Sequence, residues 1–160
     1  MYYRELVLGT YFTILTILSI YGTHRLWILY LYYKHKNDKP LPLGDQTFLP
    51  TVTVQLAIFN EYNVVERLIS SVAQLDYPRE KLEIQVLDDS TDHTKDLVDS
   101  IVTRYRKLGF DIHCLHRTDR RGFKAGALED GLRVAKGEFV AMFDADFVPN
   151  PNFLKQAVPY

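Results

Sequence analysis

The hydrophobic positions divide the chain into a continuous apolar stretch at its amino-terminal end and a longer part of alternating character. Leu6 to Thr23 contains no charged side chain, and after His24 and Arg25 the apolar residues resume from Leu26 to Tyr33. A membrane-spanning helix needs about 20 apolar residues. The stretch is therefore long enough to cross a bilayer, and we predict a transmembrane anchor over residues 1–36.

Two other interpretations of the apolar stretch stay open, a cleaved signal peptide and a buried helix of a soluble protein. No small-x-small cleavage site follows it, which argues against the signal peptide. Lys34, His35, Lys36 and Lys39 follow the stretch, whereas Arg4 is the one basic residue before it. Positive charge favours the cytoplasmic side of a membrane. We therefore expect an integral membrane protein whose downstream domain faces the cytoplasm.

Beyond the anchor, residues 37–50 are predicted to form a linker, because prolines and a glycine interrupt them. From residue 51 onward, runs rich in apolar and β-branched residues predict strands, and segments with apolar residues at helical spacing predict helices. The predicted strands are Thr51–Phe59, Glu83–Leu87, Phe110–His116 and Phe139–Phe143, and the predicted helices are Tyr62–Leu75, a segment from near Asp92 to near Gly109, and Lys124–Lys136.

Alternation of strand and helix with short connections is typical of a parallel sheet built from right-handed crossovers. We therefore predict an α/β domain over residues 51–160, with helices on both faces of a mostly parallel sheet. In the strand order 3-2-1-4 the direction of strand addition reverses between strands 1 and 4, and ligands bind beyond the carboxyl ends of strands at such a reversal. The apolar run Phe139–Phe143 is expected to be a buried strand of this sheet.

Acidic and amide side chains follow three of the predicted strands. Asn60 and Glu61 follow the first strand, and the pair Asp88-Asp89 ends the second. Either aspartate could accept a hydrogen bond from a nucleobase N–H or a ribose hydroxyl. A simpler interpretation is that Asp89, Ser90 or Thr91 caps the helix beginning near Asp92. In the same way, Asn60 would cap the predicted helix that follows it, Tyr62–Leu75.

The fourth predicted strand ends in Asp144-Ala-Asp146. Two carboxylates separated by one small residue can face one cation, and oxygen ligands suit Mg²⁺ or Mn²⁺ held jointly with phosphates. Such an ion would neutralise the charge that develops on a departing phosphate. Acids at strand ends are also common as solvated turn residues. Because these acids share one edge of the predicted sheet with the other two clusters, we expect a common site.

A basic loop lies between the third strand and the third helix. Arg117, Arg120, Arg121 and Lys124 surround Gly122 just before a helix amino terminus, which favours anions. The loop lacks the spacing of a nucleoside-triphosphatase phosphate loop. A solvated basic turn is the alternative, and we prefer it for Arg120 more than for Lys124.

Composition narrows the classes of partner. The formal net charge of −1 gives no indication of a nucleic-acid surface, so we expect no nucleic-acid partner. The single cysteine, Cys114, excludes an internal disulfide and a cysteine-rich metal site. A hydrophobic fraction of 47% is enough for a packed core.

Four motifs occur in one order along the chain: Phe59-Asn-Glu61, Val86-Leu-Asp-Asp-Ser-Thr-Asp92, Gly122-Phe-Lys-Ala-Gly-Ala-Leu128 and Phe143-Asp-Ala-Asp-Phe147. Together they resemble the amino-terminal half of a family 2 glycosyltransferase, in its cellulose synthase-like and glucomannan mannosyltransferase branch. The anchor, with Tyr21-Gly-Thr-His-Arg25, is also similar to bacterial members. The resemblance implies a GT-A fold, here incomplete, and a location at a bacterial inner membrane.

The resemblance further implies an inverting transfer of a hexose from a UDP- or GDP-sugar to a growing polysaccharide, with Mg²⁺ or Mn²⁺ as cofactor. A nucleotide-sugar-binding module without catalysis and a lipid-phosphate sugar transferase are the alternatives. The family's catalytic aspartate and its Gln-x-x-Arg-Trp motif are absent, so we expect this fragment to lack a catalytic base and to be inactive alone. The implied site residues are Asn60 and Glu61 near the nucleotide, Asp88 or Asp89 at the base or ribose, Lys124 at the nucleotide or its diphosphate, Asp144 at the substrate, and Asp144 with Asp146 at the metal.

Overall fold

The computed structural model describes residues 2–38 and 49–160. The chain forms two compact units, Met1–Leu41 and Pro42–Tyr160. Of the predicted linker at residues 37–50, residues 39–48 lie outside the described residues.

Within the described part of the first unit, one helix, α1, covers Tyr2–His35, and none of its residues is buried. It is long and apolar enough to cross a membrane. Thr10, Thr13, Thr16 and Thr23 each donate a hydroxyl hydrogen bond to the carbonyl four residues earlier, at 2.8 to 3.0 Å. Such bonds satisfy hydroxyl groups without water, as the interior of a bilayer requires.

The elements of the second unit are β1 (Val52–Ile58), α2 (Val65–Ala73), a short 3₁₀ helix (Arg79–Lys81), β2 (Leu82–Asp88), α3 (Thr94–Lys107), β3 (Asp111–His116), α4 (Phe123–Arg133), β4 (Phe139–Phe143) and α5 (Phe153–Ala157). The four strands form a parallel sheet in the order β3-β2-β1-β4, the order on which the expected ligand edge depends. The helices α2 and α3 pack on one face, and α4 contacts β1 and β2.

Alternation along the strands separates an apolar face from a polar one. Leu56, Ile84 and Ile112 belong to the core that α2 and α3 cover. On the face toward α4, the buried side chain of Gln55 donates to Gln85 at 3.0 Å. A Cβ at Gly131 of α4 would meet the Gln55 amide at 2.7 Å, so a glycine is needed for α4 to approach this face so closely.

The strand β4 differs from its prediction. It pairs only with β1 among the described residues and lies at the end of the sheet. Phe139 and Met142 are 48% and 56% exposed, so the run expected to be a buried strand is a half-exposed edge strand. A uniformly apolar run is typical of a strand with neighbours on both sides, and the pattern alone does not distinguish the two positions.

The predicted helix caps are also wrong. The helix α3 begins at Thr94, with His93 at its N-cap position and no side-chain cap hydrogen bond. The side chain of Asp92 accepts the Thr94 N–H at 2.9 Å in the turn before the helix. Asn60 does not cap α2, because the helix begins only at Val65 and a turn closed on the carbonyl of Glu61 precedes it. The chain needs these extra residues to turn from each strand into its helix.

Candidate functional site

A cavity of about 340 Å³ opens at the carboxyl ends of β1, β2 and β4. This is the edge at which the order of strand addition reverses, where ligands bind in open α/β sheets. Five of the predicted site residues line it together with an arginine and an aromatic ring. They are Glu61, Asp89, Lys124, Asp144 and Asp146, and the two additional residues are Arg120 and Phe59.

Two predicted residues, Asn60 and Asp88, do not line this cavity but help to build its rim. Asp88 is fully buried, and its carboxylate accepts the Ser90 N–H at 3.0 Å and lies 3.4 Å from His116 Nδ1. Asn60 has a positive φ of 55° and joins the end of β1 to the end of β2. Its N–H donates to Ser90 Oγ, and its side chain accepts the Thr91 N–H, both at 2.9 Å.

Asp89 is 5% exposed and faces the cavity. Arg117 donates to both carboxylate oxygens, from Nε at 2.8 Å and from Nη2 at 2.5 Å. Hydrogen bonding to Asp89 raises the pKa of Arg117 above its usual value. Each carboxylate oxygen has two lone pairs, so Asp89 keeps acceptor capacity for a ligand while its orientation is fixed.

Arg120 was interpreted as a solvated turn residue, and this is wrong. Its guanidinium carbon lies 3.4 Å from the centre of the Phe59 ring and 5.4 Å from that of Phe123. A guanidinium over an aromatic face gains a cation–π attraction. Its Nε is buried without a hydrogen-bond partner among the described residues. The contact joins residues from two distant loops, which the local sequence pattern does not reveal.

Lys124, Asp144 and Asp146 are exposed charged residues that line the cavity. Lys124 lies in the first turn of α4 and its Nζ donates to Asp144 Oδ1. Both side chains are more than half exposed. Asp144 and Asp146 both line the cavity, and two carboxylates are a donor set that fits a hard divalent cation.

The two residues before Lys124 have an unusual backbone conformation. Gly122 and Phe123 have φ of 72° and 49°, and a left-handed conformation costs a residue with a side chain about 1 kcal/mol or more. Beyond this turn, a Cβ on Gly126 would lie 2.0 Å from the carbonyl oxygen of Arg121. The close approach of the loop to α4 therefore requires glycine there.

A second group of ligand-type side chains lies at the other end of the strands. Glu83, Asp111 and His113 offer atoms within 4.8 Å of one another, a spacing compatible with a metal ion. The ammonium of Lys136 already lies 2.9 Å from Asp111 Oδ2, and His113 Nε2 lies 2.6 Å from Asp111 Oδ1. The hydroxyl of Thr53 donates to Glu83 at 2.6 Å. These charges and hydrogen bonds form an ion-pair network separate from the cavity.

The pKa values of this network reflect the ion pairs. Burial raises the pKa of Asp111, but hydrogen bonds from Lys136 and His113 outweigh it and hold that pKa below its usual value. The hydrogen bond to Asp111 raises the pKa of Lys136. Both shifts favour the charged forms of the pair.

Comparison with protein families and curated proteins gives consistent results. Residues 53–160 match the model of the family described as Glycosyl transferase family 2. The chain is 40% identical over 127 residues to probable glucomannan 4-beta-mannosyltransferase 10 of Arabidopsis thaliana, and 42% identical over 128 residues to glucomannan 4-beta-mannosyltransferase 1 of Oryza sativa subsp. japonica. These matches cover 77% and 78% of this chain but 23% and 24% of the relatives. The chain thus spans about a quarter of the length of the curated relatives it matches.

Solved structures with the same arrangement include two nucleotide-sugar complexes. The mannosyltransferase PcManGT from Pyrobaculum calidifontis, in complex with GDP-Man and Mn²⁺, has a TM-score of 0.73 and 34% identity, covering 89% of this chain and 42% of that one. S. aureus TarS 1–349 in complex with UDP-GlcNAc has a TM-score of 0.55 and 28% identity, covering 68% and 30%.

Proposed function

Because this chain belongs to glycosyl transferase family 2, we propose that it is the donor-binding part of an enzyme that transfers a hexose from a nucleoside-diphosphate sugar to a polysaccharide. The GT-A fold expected from the motifs is confirmed for the part of the domain described. One observation carries the proposal: Asp89, Lys124, Asp144 and Asp146, from three separate turns, line a single cavity at the switch point of the sheet.

GDP-mannose is the donor we propose. The relatives reported above are named as glucomannan mannosyltransferases, and the structure with the higher TM-score contains GDP-Man. In this assignment Asp89 accepts hydrogen bonds from the base or ribose, and Lys124 with the amino terminus of α4 binds the diphosphate. A UDP-sugar is the competing donor, since the TarS complex contains UDP-GlcNAc.

Asp144 and Asp146 are the residues we assign to a divalent cation, Mg²⁺ or Mn²⁺. Such an ion supplies electrostatic stabilisation of the phosphate that leaves when the sugar is transferred. Lys124 adds a second positive charge to the same group. Its ammonium donates a hydrogen bond to Asp144 in the structure. A bound diphosphate would compete with Asp144 for this ammonium. We assign the general base for the acceptor hydroxyl to no residue of this chain.

We also propose that α1 anchors the enzyme in a membrane with its donor-binding domain in the cytoplasm. No residue of α1 is buried within the described part of the chain. Lys34, His35 and Lys36 follow the apolar part of the helix. An excess of positive charge marks the cytoplasmic side. A bacterial inner membrane stays a prediction.

Isothermal titration tests the donor site. The full chain in detergent micelles is titrated with GDP, GDP-mannose and UDP, each with and without Mn²⁺. We expect binding of GDP and GDP-mannose that requires the metal, with UDP weaker. A sample with a cooperative thermal transition that binds none of the three in a metal-dependent way contradicts the proposal, and stronger binding of UDP than GDP contradicts the assignment of the donor.

A further inference from the structure

Arg117 is the residue that follows β3, and its side chain is 11% exposed. Its own N–H donates to the carbonyl of Asp88 at 3.3 Å, which places the start of the basic loop beside the end of β2. It does not line the cavity that contains Asp89 and Lys124. A largely buried arginine needs partners for its charge and its donors.

The side chain of Arg117 uses all five of its N–H groups, which is the complete donor set of a guanidinium. Two bonds hold Asp89, as described above. Nη1 donates to the carbonyl of Arg121 at 3.1 Å and to Asp130 of α4 at 3.3 Å, and Nη2 donates to the carbonyl of Phe123 at 2.9 Å. One side chain thus connects the β2 end, the basic loop and α4.

The loop that Arg117 holds is the one that presents Lys124. Two successive residues, Gly122 and Phe123, have left-handed backbone conformations there, which persist only when the surroundings determine them. The bonds from Arg117 to the carbonyls of Arg121 and Phe123 bracket this turn. A change at Arg117 would therefore reach both Asp89 and Lys124.

We infer that Arg117 is a positioning residue of the nucleotide site, which fixes Asp89 and the turn before Lys124 without touching the nucleotide. This role rests on the proposed donor site and extends it. Lysine cannot replace arginine here, because an ammonium has three donors at one point instead of a planar fork of five.

A double-mutant cycle tests this role. GDP affinity is measured by isothermal titration with Mn²⁺ on the full chain in detergent, for the wild type, Arg117→Lys, Asp89→Ala and the double variant. We expect Arg117→Lys to weaken GDP binding roughly tenfold. In the Asp89→Ala background, where binding still depends on Lys124 and the metal, we expect a clearly smaller factor of about two or three, because one of the two routes is gone.

Arg104→Lys is the matched control. Arg104 on α3 forms an ion pair with Glu66 on α2 at 2.8 Å, and neither side chain lines the cavity. We expect this change to leave GDP affinity within about twofold, as is usual for an exposed pair. An Arg117→Lys variant that binds GDP like the wild type, or that loses the same factor in both backgrounds, overturns the positioning role. If the wild type itself does not bind, the proposed function fails instead.

Asp130→Asn provides the test if Arg117→Lys loses its thermal transition. This change weakens one bond at the far side of the guanidinium and leaves Asp89 untouched. We expect a loss of GDP affinity of about twofold or more in the wild-type background and a smaller loss when Asp89 is alanine, because only the route through the turn before Lys124 then remains. Unchanged affinity in the wild-type background overturns the role.

Discussion

The two ends of the sheet both carry clustered carboxylates beside a lysine, but they differ in how those carboxylates are bonded. At the amino ends of the strands, Glu83 accepts the Thr53 hydroxyl and the Lys136 N–H, at 2.6 and 2.9 Å. Asp111 is paired with Lys136 and His113. At the carboxyl ends, Asp144 and Asp146 are exposed on a cavity.

Proximity of acidic side chains is therefore a weak criterion for a ligand site. The network at the amino ends has the more compact set of ligand-type atoms, yet hydroxyl, backbone and ammonium groups already bind its carboxylates. The acids of the cavity leave most of their acceptor capacity open. The availability of acceptors, and the space beside them, separates a candidate binding site from a structural ion-pair network.

The largest expected effect comes from the cavity carboxylates. Replacing both Asp144 and Asp146 by asparagine removes the negative charge assigned to the metal, and we expect metal-dependent GDP affinity to fall roughly a hundredfold or more. Titration calorimetry with Mn²⁺ measures it. Asp111→Asn, at the other end of the sheet, is the control and should leave affinity unchanged. Equal losses in both variants would break the comparison between the two ends.

A glycine substitution beside the cavity is expected to have the next largest effect. A Cβ on Gly126 would lie 2.0 Å from the Arg121 carbonyl oxygen and 2.9 Å from Arg117 Nη1, so the loop must move away from α4. We expect Gly126→Ala to cost about 1–3 kcal/mol of stability and to weaken GDP binding. Thermal unfolding and calorimetry measure the two effects. Gly22→Ala, in open space within α1, should change neither.

At the amino ends of the strands, loss of one buried hydroxyl should lower stability without changing the affinity for GDP. Thr53 Oγ1 donates to Glu83 and accepts the Gly137 N–H at 2.8 Å. Thr53→Val removes the acceptor of the Gly137 N–H and one of the hydrogen bonds to Glu83, which keeps the Lys136 N–H. We expect a cost of about 1–3 kcal/mol, measured by thermal unfolding. The less buried Thr51, which accepts the Glu138 N–H at 3.2 Å, is the matched control, and Thr51→Val should cost less. A loss of GDP affinity in Thr53→Val would show that the two ends are coupled.

The smallest effect is a pH dependence of the same network. The pKa of Asp111 is below its usual value in the folded chain, so its contribution to stability is present above the unfolded pKa of about 3.9. It is lost as the pH falls through the lower, folded pKa. We expect the thermal transition of Asp111→Asn to approach that of the wild type as the pH is lowered below about 4. A difference between the two that stays constant from pH 7 to pH 3 would contradict this.

The alternation of strands and helices follows from periodicity, and the cavity edge then follows from the rules of parallel sheets once the common strand order is assumed. The sequence analysis did not decide which of Asp88 and Asp89 faces the cavity, although the alternation within β2 indicates it. Asp88 shares its face with Ile84 and Val86 of the core, whereas Asp89 follows Leu87, which lines the cavity. Counting by twos from the apolar positions Ile84 and Val86 assigns Asp88 to the core face.

Features that depend on tertiary contacts were not predictable in the same way. The position of Arg120 against Phe59, and the network of Arg117, join loops that are distant in sequence. The predicted caps are wrong because α2 and α3 begin several residues beyond the polar side chains at the strand ends, and neither helix has a side-chain cap bond. The half-exposed state of β4 depends on which strands lie beside it, which a local apolar pattern does not encode.

The position of β4 at the end of the sheet also affects how samples of this chain behave. The outer side of a strand at the end of a sheet presents free backbone donors and acceptors, a template for pairing with another molecule. Phe139 and Met142 add exposed apolar area along the same strand. Preparations of these 160 residues should therefore aggregate as concentration rises, and Met142→Lys should improve their solubility while leaving the cavity at the carboxyl ends of the strands intact.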